Sequence, residues 1–159
     1  MRCCGLNVLV ACEESQRVCF AFRRLGHNAY SCDIDFCSGG HPEWHIQSDV
    51  LQFINGNCEF TTCDGSKHYI GCKWDLIIAF PPCTYLTNAG NRHFSSKCYA
   101  PEQVNVRLGL RNQAVAFFMR FVNANCEKVV IENPVGFMSK CWRKPDQIIH
   151  PYYFADSVN

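Results

Sequence analysis

The chain has 159 residues, room for one domain with a real core and too little for two full ones. Its hydrophobic fraction of 48% is that of a folded protein, and no apolar run approaches the ~20 residues of a membrane-spanning helix, so composition excludes a disordered chain and a membrane span. The 13 cysteines are unevenly spaced and the opening Met-Arg-Cys-Cys-Gly is no export signal, which points to free thiols in a reducing cytosol, not a disulfide framework. The net charge of +1 is unevenly spread. Residues 1–80 carry six Lys/Arg against nine Asp/Glu, and residues 81–159 carry nine against five. The second half, with Arg92, Lys97, Arg107, Arg111, Arg120, Arg143 and Lys144, is the basic one, compatible with a polyanionic partner and equally with an ordinary solvated surface.

In chain order, residues 6–11 (Leu-Asn-Val-Leu-Val-Ala) form a short β-rich run and predict a first strand. Residues 17–25 place Val18, Ala21, Phe22 and Leu25 at helical spacing, with Ser15 as the expected N-cap and Gly26 as the stop. Residues 28–32 read as a second strand ending in Asp33-Ile34-Asp35. Strand, turn, helix, strand and terminal acid open a nucleotide-type βαβ unit. The turn at 12–16 holds no glycine, which a backbone approaching a pyrophosphate would need; a cofactor without phosphates, such as S-adenosylmethionine, needs them less. Asp33 or Asp35 would then accept from ribose hydroxyls, unless these acids simply solvate a loop.

Residues 37–44 are loop by composition, and residues 45–50 form a strand-like piece whose Asp49 is placed to meet a cofactor base. Residues 58–62 and 66–70 flank Asp64-Gly65, the strongest short hairpin signal in the chain. Cys58, Cys63, His68 and Cys72 have a zinc-knuckle flavour, but their spacing is poor for paired ligands, and the plain hairpin is preferred.

The unbroken apolar run at 76–80 (Leu-Ile-Ile-Ala-Phe) suits a parallel-sheet strand covered on both faces, and Pro81-Pro82 ends it abruptly. Cys83 follows directly, at the carboxyl end where open α/β sheets bind ligands, and is a candidate nucleophile; the competing reading is a small buried hydrophobe. Residues 84–100 lack periodicity, are long for a loop and are expected to lie over Cys83. A helix is predicted over 103–124, with Val104, Leu108, Arg111, Val115, Phe118 and Val122 on one stripe widened by Leu110, Ala114, Phe117 and Phe121. It leads to a second apolar strand, Lys-Val-Val-Ile, that ends in Glu132-Asn133-Pro134. Two such strands would deliver Cys83 and Glu132 to one sheet edge. From Val135 onward the signal is weak.

These motifs together resemble the DNA cytosine-5 methyltransferases, and more closely the small phage- and prophage-encoded proteins labelled DNA cytosine methyltransferase. The resemblance rests on Val-Ala-Cys-Glu-x-Ser, Cys-Asp, His-Ile-Gln-x-Asp-Val, Trp-Asp-Leu, Pro-Pro-Cys-Thr-Tyr-Leu, Ile-Glu-Asn-Pro and Pro-x-Gln-Ile-Ile-x-Pro-x-x-Phe, in order from Val8 to Phe154. It implies a Rossmann-like α/β methyltransferase fold with a mostly parallel sheet, spanning 1–159 as one catalytic domain with no target-recognition domain. It implies S-adenosylmethionine as cofactor, DNA or a pyrimidine nucleotide as partner, no metal, no membrane, and a bacterial host cytosol as location. In catalysis, Cys83 matches the nucleophile and Glu132 the acid that engages the pyrimidine; Asn133 and Pro134 complete that motif. For the cofactor, Asp33 matches the ribose-binding acid, Asp49 the residue near adenine, and Ala11, Cys12, Glu13 and Ser15 the first loop, with Pro81 beside them. The chemistry needs these types: a thiolate adding at C6 of cytosine makes C5 nucleophilic, and a partly desolvated carboxyl can share a proton with N3. Arg92 or a helix amino end would activate the thiol.

The chain departs from that family in its glycine-free first motif, in Thr84 after the cysteine, in lacking a Gln-x-Arg-x-Arg segment, and in stopping at Asn159 before a Lys-Thr-x-Leu-Trp-Leu type strand pair. The sheet is therefore expected to be either C-terminally incomplete or finished by a partner or second copy. Two alternatives stay open: a catalytically inactive protein that binds nucleic acid or a host factor, and an amino-methyltransferase, disfavoured because Phe80 cannot accept from an amine in the Phe80-Pro81-Pro82-Cys83 segment.

Overall fold

The computed structural model describes residues 5–154. Strands β1 (Asn7–Ala11), β2 (Asn28–Asp33), β3 (His45–Gln47), β6 (Leu76–Ala79) and β7 (Val129–Ile131) form one sheet in the order β3-β2-β1-β6-β7, every pair parallel. β4 (Cys58–Thr61) and β5 (Lys67–Ile70) form the separate antiparallel hairpin expected around Asp64-Gly65, with Gly65 at a φ of 87°. The chain builds outward from β1 through β2 to β3, then returns to the other side of β1 with β6 and β7. The order therefore reverses between β1 and β6.

Helices α1 (Arg17–Arg24) and α2 (Pro101–Val122) cover opposite faces. Val8, Val10 and Ala29 pack against Cys19, Val18 and Phe22 of α1. Leu9, Ala11, Ile77 and Ala79 pack against Phe117 and Phe121 of α2, together with Tyr30, Phe60 and Trp74 under the hairpin. The period-2 pleat sends alternate residues of each strand into these two cores. Full burial of one such side chain, Leu9 for example at 0% exposure, is worth about 1.5–3 kcal/mol.

Three expectations are corrected. Ser15 is not the N-cap of α1: Gln16 holds that position at a φ of 58°, and the Glu13 carboxylate reaches in to accept from Val18 N (2.6 Å) and Cys19 N (3.1 Å). The longer Glu side chain does from three residues upstream what a short Ser hydroxyl does at the cap. The second apolar face of β6 and β7 is not fully covered: Ile78 is half-buried and Val130 is 55% exposed, because α1 packs on β1 and β2 and β7 is the edge strand. Leu108 is 41% exposed, so the buried stripe of α2 is the narrower Val104, Arg111, Phe118 and Phe121.

The helix stop at Gly26 holds, with a φ of 83° that favours glycine. The sequence of residues 135–154 holds a short helix, α3 (Met138–Cys141), that its weak pattern does not announce; Met138 joins Leu86 and Phe118 in a third small core. Among the described residues no helix is long and apolar enough to cross a membrane.

Candidate functional site

The carboxyl ends of the five strands carry nearly every residue singled out from the sequence. At the β6–β7 side, Ala79 pairs with Ile131 and its carbonyl accepts from Glu132 N at 2.9 Å, so the loop carrying Cys83 and the loop carrying Glu132 leave neighbouring strands at one level. Pro81 is buried and anchors the first loop; the Cys83 carbonyl accepts from Leu86 N (2.8 Å) and Thr87 N (3.2 Å), turning the chain directly after the thiol. The two loops are then tied to each other. Phe137 N donates to Leu86 O (2.7 Å), Asn88 Nδ2 donates to Val135 O (3.1 Å), and Thr87 bridges Gly136. Gly136 sits so close to the Leu86 carbonyl that no Cβ fits there, which makes glycine a requirement of the junction.

Cys83 is half-buried and Glu132 is exposed. The partial desolvation expected of Glu132 is therefore not provided by this chain's own fold. Asn133 donates from Nδ2 to Pro134 O at 2.8 Å, and its Oδ1 is enclosed without a partner. Arg92 is exposed on a 3-10 turn (Asn91–Phe94), and its Nε lies 3.3 Å from His93 Nε2; among the described residues no hydrogen bond joins Arg92 to Cys83. His93 in turn pairs with Tyr99 Oη at 2.6 Å, and burial, followed by the charges of Arg107 and Arg92, lowers its pKa.

Arg111 is the residue that sequence reasoning placed in a hydrophobic stripe without giving it a role. It is 7% exposed, donates from Nε to Tyr85 O (2.9 Å) and from Nη2 to Asn91 Oδ1 (2.9 Å), and lies 3.4 Å from the Phe94 ring centroid and 4.5 Å from that of Phe137. It thus holds the loop after Cys83 and the loop after Glu132 on α2. The signal that could have found it is an arginine at a core position of an amphipathic helix, where a charge needs dedicated partners.

At the β1–β3 side the same edge carries the half-buried Cys12 and Asp33 and the exposed Asp49. Cys12 follows Ala11 at a φ of 59°, donates from N to Cys32 O at 2.8 Å, and has its thiol pushed up to about 12 by burial and then by the carboxylates of Asp33 and Asp49. Burial, Cys12 and the same two carboxylates push the Cys32 thiol up as well. Asp33 accepts on Oδ1 from Asp35 N (3.0 Å) and Asp49 accepts on Oδ1 from Leu51 N (2.9 Å), so each carboxylate uses one oxygen on a local amide. Glu13 is 6% exposed, and burial raises its pKa against the lowering effect of the two helix amides it caps. Its carboxylate occupies the amino end of α1, where a cofactor phosphate would sit in a dinucleotide site. Ser15 is half-buried and Ala11 fully buried beneath this turn.

The knuckle-like cysteines take no such role in the hairpin. Both ring nitrogens of His68 are engaged, by Tyr30 Oη at 3.0 Å and Thr62 Oγ1 at 3.1 Å, and among the described residues no three His, Cys, Asp or Glu side chains are grouped to hold a metal ion. A shallow cleft of about 390 Å³ lined by Glu59, Phe60, Thr61, Lys67, His68 and Tyr69 lies on the hairpin, away from the strand carboxyl ends. The chemistry-bearing side chains do not line it, so the candidate site is the sheet edge. Comparison with family models, with curated proteins and with solved structures yields no match to this chain.

Proposed function

We propose that the chain is an S-adenosylmethionine-dependent pyrimidine C5 methyltransferase of the cytosine-5 type, with a Rossmann-like methyltransferase fold. The observation that carries this reading is the shared edge: Cys83 and Glu132 leave adjacent parallel strands at one level, beside the point between β1 and β6 where strand order reverses. Ligands in open α/β sheets bind at such a point. The residues present fit the cofactor. Asp33 and Asp49 stand at neighbouring strand ends, each with one carboxylate oxygen on a local amide, while Glu13 fills the helix amino end. That donor set suits a ligand with ribose hydroxyls and an amine but no phosphate.

S-adenosylmethionine, when bound, supplies the methyl group. In this reading Asp33 accepts from the ribose hydroxyls and Asp49 lies toward the base. Cys83 adds through Sγ to C6 of the pyrimidine, C5 takes the methyl as a nucleophile, and loss of the C5 proton and of the thiolate restores the ring. Glu132 shares its proton with N3 as negative charge develops there, and bound substrate supplies the desolvation that the exposed carboxyl lacks in the free chain. A base within a duplex would have to leave the stack to reach this edge.

Calorimetric titration with S-adenosylmethionine and S-adenosylhomocysteine tests the reading, with Asp33→Ala as control. Micromolar binding lost in Asp33→Ala, and transfer of labelled methyl to a cytosine oligonucleotide lost in Cys83→Ser, are expected. Absence of binding at millimolar cofactor removes the methyltransferase reading. The exposure of Glu132 favours a second reading, a methyltransferase-like binding protein without catalysis, and the labelled-methyl transfer assay separates the two.

A further inference from the structure

Arg111 holds a charge that the fold leaves unneutralised. It is 7% exposed, yet among the described residues no carboxylate pairs with it. A buried cation without a counter-ion is expensive, and an aromatic ring beside it offsets only part of that cost. Burial accordingly lowers its pKa. Nε and Nη2 donate to Tyr85 O and Asn91 Oδ1, and the Phe94 and Phe137 rings lie against the guanidinium carbon. Nη1 has no protein acceptor among the described residues. The edge of the guanidinium that lacks an acceptor there thus lies at the junction of the two motif loops, between Tyr85, Asn91 and Phe137.

We propose that Arg111 is a phosphate-binding residue, whose Nη1 edge receives a phosphate group carried by the substrate on the rim that bears Cys83 and Glu132. The fork of a guanidinium matches phosphate oxygens, and its partners here hold it in one orientation before the ligand arrives. Tyr85, whose carbonyl it holds, lies two positions beyond the thiol, so Arg111 fixes the same loop that carries Cys83. The surrounding half of the chain carries the positive excess, nine Lys/Arg against five Asp/Glu. The identity of the carrier, a pyrimidine nucleotide or a nucleic-acid strand, rests on the reading proposed above; the phosphate chemistry does not.

The test follows the Arg111 Nε–H resonance of the wild-type protein, assigned by its absence in Arg111→Lys, during titration with inorganic phosphate, deoxycytidine monophosphate, deoxycytidine and a short oligodeoxycytidine strand. A saturable shift with phosphate and with the monophosphate, and at least about tenfold tighter binding of the monophosphate than of the nucleoside, are expected, as one charge-assisted contact is worth at least that factor. Arg111→Met should erase the difference. If that variant fails to fold, the wild-type titrations decide alone. An oligonucleotide that saturates the shift at lower phosphate-group concentration than the monophosphate makes the strand the source; the reverse makes it the free nucleotide. A resonance that does not move with phosphate, or equal affinity for nucleotide and nucleoside, overturns the proposal. Cofactor binding without a phosphate response removes only the anion site, and a phosphate response without cofactor binding removes only methyl transfer.

Discussion

The two ends of the sheet's carboxyl edge are built on opposite plans. Around β1 to β3 the thiols are disarmed: Cys12 and Cys32 are held as neutral thiols by burial and by two nearby carboxylates, and Glu13 fills the helix amino end from within the chain. Around β6 and β7, Cys83 is as half-buried as Cys12, but Glu132 beside it is exposed, and the positive charge that holds the two loops together has no counter-ion among the described residues. Position on the sheet, then, and not the mere presence of a thiol, separates Cys83 from Cys12 and Cys32 at the other strand ends. In the reading proposed above, the β1–β3 end takes the ligand without phosphate and the β6–β7 end takes the one that carries it.

The largest effect that could break this contrast is in thiol reactivity. With its thiol pushed up to about 12, Cys12 has about one thiolate in ten thousand molecules at pH 8. Alkylation of the native protein, followed by mass mapping, should label Cys83 while leaving Cys12 unlabelled; equal rates would erase the distinction. Next comes packing. Leu9→Ala, in the strand covered on both faces, should destabilise by about 2–5 kcal/mol in denaturant unfolding, whereas Val130→Thr, on the uncovered face of β7, should stay within about 0.5 kcal/mol. A large loss at Val130 would mean that this face is covered in solution. Glu13→Ala should cost about 1 kcal/mol by uncapping α1, read in the same unfolding curves.

The smallest effect is in pH dependence, where two acids should pull in opposite directions. Burial raises Glu13 above its ordinary 4.5, so its contribution is full below that value and is lost as the pH rises through the raised one. Hydrogen bonds from the Ser66 and Thr62 hydroxyls and from Ser66 N lower Asp64 from 3.8 to about 2, so its contribution is full above 3.8 and is lost as the pH falls toward about 2. Melting profiles of Glu13→Gln and Asp64→Asn against the wild-type protein should therefore change slope with opposite sign across the acid range. A shared sign would show that one of the two environments is misread.

The strands, the hairpin and the long helix were legible in the sequence because each is announced by short-range features. Those features are the apolar runs at 6–11 and 76–80, the turn at Asp64-Gly65, and the stops at Gly26 and Pro81-Pro82. So was the delivery of Cys83 and Glu132 to one edge, since two parallel strands joined by one helix leave few other arrangements. What local pattern could not reveal was set by contacts distant along the chain. Leu76 to Phe80 reads the same whether one or both faces are covered, and α1 decides that by packing on β1 and β2. Glu13 and Ser15 are both competent caps, and the left-handed turns at Cys12 and Gln16 select the longer reach. Arg111 looks like one more position on a helical stripe until Tyr85, 26 residues earlier in the chain, and Asn91, 20 earlier, are brought to it. The sequence by itself determined the elements, their order and the residues available for chemistry, because propensity, periodicity and turn residues act within a few positions. Only the tertiary structure decided which thiol is held neutral, which acid meets water and which cation has no counter-ion among the described residues, because burial and charge depend on neighbours that the chain brings in from far away.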